Sequence, residues 1–312
     1  MGNTPSPITS RISTRIYVQR HWQLYAMFVP VILFYLVFCY LPYGGLVVAF
    51  QNFKLGRGIW GSPWVGMSNF RRMFATSQFS NILRNTVFLN ILNVIVYFPA
   101  PIILAIMLNE VRNQTYKRAT QSLMYIPHFF SWVVLGGVVV SIFSPSEGFI
   151  NQIIKAVTGG NGIYFMASKF WWPLVFVFST IWKDVGWGSI IYLATISNIN
   201  PELYEAAIVD GANRMRQTWH ITLPGMRPTI IIMLILRMGG MMDVGLEQVM
   251  MLENAAVAEI STVISLYVYR IGIIGMQYSY TTAIGFFQSV VSAILLLSAN
   301  TLAKRFGDAG IW

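Results

Sequence analysis

Charge is scarce in this chain. Of 312 residues only 10% are charged, 11 are acidic, three are histidine and one is cysteine, Cys39. A soluble domain is roughly 25% charged, so the shortfall excludes an ordinary cytosolic globule. Disorder is excluded too, because disordered chains are poor in aromatics and this one has 21 Phe, 15 Tyr and 10 Trp. A lone cysteine within an apolar run makes no internal disulfide, zinc knuckle or CxxC centre. The histidines, His21, His128 and His220, lie far apart and form no HExxH spacing, so no metal site is expected, and His128 and His220 read as packing or loop residues. No GxxxxGK[ST] phosphate loop and no GxSxG elbow occurs, which leaves neither a nucleotide-hydrolysing nor a serine-hydrolase motif.

What the chain does contain is apolar length. The apolar and aromatic share is 55% and the mean hydropathy is +0.59. A helix needs about 20 mostly apolar residues to cross a bilayer core. Six runs qualify: 24–50, 86–108, 122–143, 171–196, 229–252 and 281–303. None alternates with period two, so the expectation is an all-α integral membrane protein with six spans rather than a β-barrel. The first run is too long for a signal peptide and reads as a retained span. Pro30, Pro42, Pro99 and Pro101 fall inside spans and are expected to kink them.

The net charge of +10 comes from basic residues scattered between apolar runs, which points to membrane flanks and not to nucleic acid. With both termini inside, cytoplasmic segments hold eleven basic residues against eight outside. That count favours cytoplasmic termini. The expected organisation is a cytoplasmic N-terminal segment 1–21, a six-span domain 22–303 and a cytoplasmic tail 304–312. The first external loop, 51–85, carries Arg57, Arg71 and Arg72 and no acidic residue, with Trp60, Trp64, Phe70, Phe74 and Phe79 between polar positions. Two readings stay open: an amphipathic anchor in the lipid interface, or a basic docking surface for an acidic partner or anionic solute.

Between the fourth and fifth runs, segment 197–228 predicts a short helix–turn–helix knob on the cytoplasmic side. Glu202 to Val209 are good helix formers, with an acidic residue in the first turn, and Gly211 is placed to end the helix. A second helical stretch follows over 214–220, and Pro224 and Pro228 punctuate the entry to the fifth run.

Ionisable residues within spans are costly, about 2.5–3.5 kcal/mol at the helix centre, and commonly face a bundle interior or a pathway. Here they are Lys183 and Asp184 in the fourth run, then Arg237, Asp243 and Glu247 in the fifth. Asp243 and Glu247 share a helix face if that run is one helix. Lys183 and Asp243 then lie at matching depths, roughly 20 Å from the cytoplasmic ends of their spans. The spacing fits either a buried Lys183–Asp243 pair or a polar translocation cavity. Gly239, Gly240 and Gly245 flank these positions, and interrupted helices often mark transport sites.

The knob carries a specific pattern. Glu205-Ala206-Ala207, then Gly211 past Asp210, then Ile221-x-Leu223-Pro224 resembles the EAA loop of permease subunits of binding-protein-dependent ABC importers. Phe70, Asn85-Thr86, Tyr125-Ile126-Pro127, Gly186-Trp187, Ile199-Asn200-Pro201 and Tyr267-Val268-Tyr269-Arg270 are similar to the sugar-importer branch, within it to permeases for acidic oligosaccharides such as alginate or pectin fragments. The chain departs from that branch at Leu252-Glu253-Asn254-Ala255-Ala256, where an aromatic-Asn-Pro turn is usual. The resemblance implies that the knob is a coupling helix seated in an ATPase subunit, with Glu205 facing a basic group and Ala206 and Ala207 packed closely. It further implies a second, homologous permease, two ATPase subunits carrying ATP and Mg, an external solute-binding protein and a bacterial plasma membrane. No cofactor is expected on this chain. The rival readings are a self-sufficient secondary transporter or channel using the intramembrane charges, and a membrane-embedded enzyme.

Overall fold

The computed structural model describes residues 20–305, 310 and 311; residues 1–19, with Arg11 and Arg15, and residues 306–309 and 312 lie outside them. In chain order α1 (Trp22–Phe50) is followed by α2 (Ser68–Ala75) and α3 (Ser77–Glu110). A pair, α4 (Gln114–Phe129) and α5 (Trp132–Ile142), then turns through 104°. After α6 (Phe149–Thr158), α7 (Trp171–Ser197) leads to α8 (Pro201–Val209) and α9 (Arg214–Gly239). The chain ends in α10 (Leu246–Leu252), α11 (Ile264–Ile274) and α12 (Tyr278–Arg305). The long apolar helices α1, α3, α7, α9 and α12 can each cross a membrane, and the bent pair makes a sixth crossing if it counts as one span. Among the described residues there is no strand, only an isolated bridge between Gln51 and Trp64.

Pro42, Pro99 and Pro224 are absorbed by π turns, whereas Pro30 and Pro101 lie in regular α-helix. Three π stretches, Tyr35–Tyr40, Asn93–Tyr97 and Thr218–Thr222, end two residues before Pro42, Pro99 and Pro224. A proline ring collides with the carbonyl four residues back. Here those carbonyls belong to Phe38, Ile95 and His220, each inside a widened turn that makes room. Phe98 N accordingly donates to Asn93 O, five residues back, at 3.0 Å.

Two expected spans differ in form. The run 122–143 is broken after Phe129, where Pro127 sits in a 3-10 turn and Ser131 begins a new helix by accepting from Val134 N. The run 229–252 stops at Gly239. Gly239 lies so close to Leu296 that a Cβ would come 2.6 Å from its Cδ1, and Gln288 Nε2 holds the Met242 carbonyl in the following turn at 2.6 Å. Gly245 then takes φ +71° before α10 starts. Asp243 therefore lies in a turn and Glu247 in the first turn of another helix, so they do not share a helix face.

Glycines set the close approaches, as expected where packing and not water exclusion joins helices. A Cβ at Gly186 of α7 would stand 2.1 Å from Met124 O of α4, and one at Gly136 of α5 would stand 2.5 Å from Met251 Cβ of α10. One core gathers Trp172, Phe176, Val249 and Leu252; a second gathers Phe79, Ile264 and Ile284; a third joins Ala105, Tyr192 and Met226 of α3, α7 and α9.

The aromatics of the external loop are in part neither anchor nor docking surface but internal core. Phe70 and Phe79 are buried and meet Phe286 and Phe287 of α12 edge-on at 5.9 and 5.6 Å. Trp60 is fully exposed, while Trp64, itself exposed, stacks on Phe50 at 5.7 Å.

Candidate functional site: a clamped knob and a polar layer

The knob is built from local signals. Asn200 caps α8 by accepting from Glu202 N at 3.1 Å, with Pro201 at the first helical position, where its missing donor costs nothing. At the far end Ala212 N donates to Ala207 O at 2.8 Å and Gly211 N to Ile208 O at 3.0 Å, with Gly211 at φ +75°. Those paired bonds satisfy the last carbonyls of α8. Asn213 then caps the next helix by accepting from Arg216 N at 2.9 Å.

Two ties fix the knob to the spans. The Tyr204 hydroxyl bonds Thr222 Oγ1 at 3.0 Å, and Arg214 is ion-paired with Glu110 at the end of α3. Pro224 lies within α9 just past its π stretch, Ile221 and Leu223 are half-buried beside it, and Gly225 lets the Ile199 side chain pack against the helix. Glu205, Ala206 and Asp210 are exposed and Ala207 is half-buried. Glu205 has no hydrogen bond or ion pair among the described residues. Leu203, Ile208 and Val209 expose an apolar surface beside it. Such a surface on a short clamped helix is suited to docking another protein.

Inside the membrane a polar layer runs through several helices. Tyr97 of α3, Lys183 and Asp184 of α7, and Arg237 of α9 all lie roughly 20 Å from the points where their helices reach the knob side. The expected Lys183–Asp243 pair is absent. Lys183 Nζ instead donates to the carbonyls of His128 at 2.9 Å and Phe130 at 2.5 Å. The break after α4 leaves those carbonyls without helical donors, and the negative end of a helix favours a cation there. Asp184 bonds His128 Nδ1 at 2.8 Å, and the imidazole stacks on Trp187 with ring centres 4.6 Å apart. His128 is thus more than a packing residue, and its 56-residue separation from Asp184 hid the contact. His220 lies in the π stretch of α9 and not in a loop, with Nδ1 on Arg216 O at 3.0 Å.

Asp243 turns its carboxylate onto the Gly245 amide at 3.0 Å, and both Asp243 and Glu247 are exposed. Arg237 is half-buried and donates through Nη2 to Asn90 Oδ1 at 3.2 Å. The neighbouring Gln248, which sequence reading passed over, pins α10 to α7 by donating to Phe176 O at 2.9 Å and Thr180 Oγ1 at 2.9 Å.

On the opposite end, Arg57 and Arg71 are exposed. Arg72 is tied inward, to Gln277 Oε1 at 2.9 Å and over the Tyr280 ring at 4.5 Å. Lys169 is hydrogen-bonded to Glu259 and, by that bond and its charge, holds the carboxyl below the ordinary glutamate range; Arg84 adds to the effect. The divergent segment at 252–256 is a pinned turn. Trp172 Nε1 donates to Leu252 O at 2.8 Å, Asn254 Nδ2 to Met166 O at 2.7 Å, and Glu253 accepts both guanidinium arms of Arg270.

Long apolar helices clamping an exposed knob, with a polar layer buried between them, define a membrane transport subunit. Residues 97–308 match the family described as binding-protein-dependent transport system inner membrane component, and the chain belongs to it. It is 42% identical to Protein LplB of Bacillus subtilis strain 168 over 301 residues, 96% of this chain and 94% of the relative. It is also 42% identical to the polygalacturonan/rhamnogalacturonan transport system permease protein YteP of the same organism over 302 residues, 97% and 93% of the two chains. Among solved structures it is similar to a chain of the bacterial alginate ABC transporter in complex with an alginate pentasaccharide-bound periplasmic protein. The TM-score is 0.87 and the identity 38%, covering 96% of this chain and 100% of that one. The expected ABC-importer permease and its helical fold hold, and the self-sufficient carrier is not favoured.

Proposed function

We propose that this chain is one of two homologous permeases of an ATP-driven importer in a bacterial plasma membrane, and that its cargo is an acidic oligosaccharide. An external solute-binding protein delivers the cargo, and two ATPase subunits, carrying ATP and Mg, dock on the permease pair. The chain has cytoplasmic termini and works through α8, with no cofactor or hydrolytic step of its own. The relatives support the cargo class: one is a polygalacturonan/rhamnogalacturonan permease, and a solved neighbour, 40% identical, imports the acidic polysaccharide alginate. In this reading Lys183, Asp184 and Arg237 belong to the cavity wall, Asp243 and Glu247 to its rim, and Arg57, Arg71 and Arg72 to the receptor side.

The single observation that carries the mechanism is the exposed α8, with unpartnered Glu205 beside an apolar face, tied to α9 through Tyr204–Thr222, while the start of α9 is tied to α3 through Arg214–Glu110. A push on α8 is delivered directly to the spans that hold the polar layer. Glu205 supplies charge to the docking contact, Leu203 and Ile208 supply apolar area, and the small Ala206 lets the partner approach. Glu205→Arg replaces an attraction by a like-charge contact while leaving the fold untouched, because the side chain is exposed. Receptor-stimulated ATPase activity in the reconstituted complex is expected to fall by about tenfold or more, equivalent to a docking loss of at least ~1.4 kcal/mol. Wild-type stimulation in that variant would remove Glu205 from the coupling contact.

A further inference from the structure

Among the described residues, not every charge of the polar layer is bonded to a counter-charge. The Lys183 ammonium sits on two carbonyls, and the Asp184 carboxylate on His128. Lys183 and Asp184 cancel formally, and Arg237 remains. Its contact with the chain is a single hydrogen bond to the neutral, fully buried Asn90, and its Nε is buried with no hydrogen-bond partner. No carboxylate among the described residues forms an ion pair with it within 4.0 Å; Asp243, six residues on, is near enough to act on it through charge, but its carboxylate is bonded to the Gly245 amide. An arginine deep in a membrane helix without a counter-charge is costly and is retained where something pairs with it.

That something has room. Arg237 forms part of the wall of a cavity of about 270 Å³ between α3, α7 and α9, with Tyr97, Tyr192, Gly188 and Met233 among its other walls. Gly188 contributes no side chain, and the two phenols offer hydroxyl groups to a polar ligand. A guanidinium carries a planar fork of donors that matches a carboxylate and keeps its charge in an apolar setting. We infer that Arg237, steadied by Asn90, is a specificity-determining residue that reads a carboxylate on an anionic saccharide as it passes through the membrane. The inference rests on the acidic-oligosaccharide reading above and deepens it, because it places selection for charge inside the permease as well as in the external receptor.

Met233 lies one turn from Arg237 on the same cavity, so a cysteine there reports occupancy. The test uses the assembled complex, with Met233→Cys in a Cys39→Ser background, a small neutral maleimide, a galacturonate trisaccharide and its carboxyl-reduced counterpart. The uronate is expected to slow labelling, and the reduced sugar at the same concentration is not. Adding Arg237→Gln is expected to raise the uronate concentration needed for protection about tenfold, with Arg237→Lys in between. Co-purification of the second permease and the ATPase subunits with each Arg237 variant, at wild-type stoichiometry, is expected and shows that the complex still assembles. Equal protection by uronate and reduced sugar, or unchanged uronate protection in Arg237→Gln, would overturn the assignment while leaving the cargo reading in place. Absence of both protection and uronate uptake with Arg237 intact would overturn the cargo reading, and this inference with it.

Discussion

Gly211 holds φ +75° at the end of α8, and a Cβ built there meets nothing within 4 Å. The glycine is needed for its backbone conformation and not for space. Gly211→Ala is therefore expected to cost only the left-handed penalty, about 1–2 kcal/mol. Hydrogen exchange of the amides that close α8 should accelerate by roughly 5–30-fold, with Gly211→Asn smaller because asparagine tolerates this conformation. This residue was legible in advance because a helix cap is a local event: the formers before it, the glycine and the cap Asn213 after it lie within a dozen positions. The opposite holds for His128. Nothing near it in sequence announces Asp184 or Trp187, and the contact exists only because the third span bends.

At the scale of elements, that bend is held by Lys183. The matching depths of Lys183 and Asp243 suggested a pair between adjacent spans, in which removing both charges would rescue removal of one. The structure gives Lys183 a different partner, the carbonyls at the end of α4, so that rescue should fail. Lys183→Met is expected to strand the His128 and Phe130 carbonyls at roughly 1–3 kcal/mol each. Asp243→Leu added to it should restore nothing, and Lys183→Arg should recover part of the loss. Thermal melting of the detergent-solubilised chain decides between the two. A double variant more stable than Lys183→Met would return Asp243 to the pairing. The depth argument failed because it assumed one straight helix over 229–252, whereas the helix ends at Gly239 and Gln288 of α12 holds the following turn, leaving Asp243 in that turn.

Across the whole molecule, the two ends present different chemistry. The knob side offers an acidic and apolar helix, while the far side carries exposed Arg57 and Arg71 and the ion-paired Lys169. Arg71 and Arg72 are neighbours in sequence with separate tasks. Arg71→Gln should slow association of the external binding protein at low salt, with the difference vanishing near 1 M salt, where the screening length is about 3 Å. Arg72→Gln should act at every ionic strength, because it removes the hydrogen bond to Gln277 and the contact with Tyr280 that tie α2 to α12. Equal salt dependence in both variants, measured by receptor-binding kinetics, would count against this division. The apolar window of α1 is not buried anywhere in this chain, so its surface is left to lipid or to a partner subunit.

The apolar runs, the caps and the spacing Glu205-Ala206-Ala207, Gly211, Ile221-x-Leu223-Pro224 by themselves determined a helical membrane protein with an exposed helix–turn–helix knob of the binding-protein-dependent permease family. Those features are written in consecutive residues and rest on local backbone preferences and on the apolar length needed to cross a membrane. Where the spans would break, and what each buried charge would touch, was decided by tertiary packing. The close packing of Gly239 on Leu296, the seat of Gly186 on the Met124 backbone and the hold of Lys183 on the bend after Phe129 are contacts between segments far apart in the chain. They decide that Lys183 caps a broken helix, that Asp184 meets His128, and that Arg237 is bonded to Asn90 and, among the described residues, to no carboxylate. Composition reveals that such charges are buried in apolar runs, but a charge in a membrane takes its partner from whatever the fold brings within 3 Å or so.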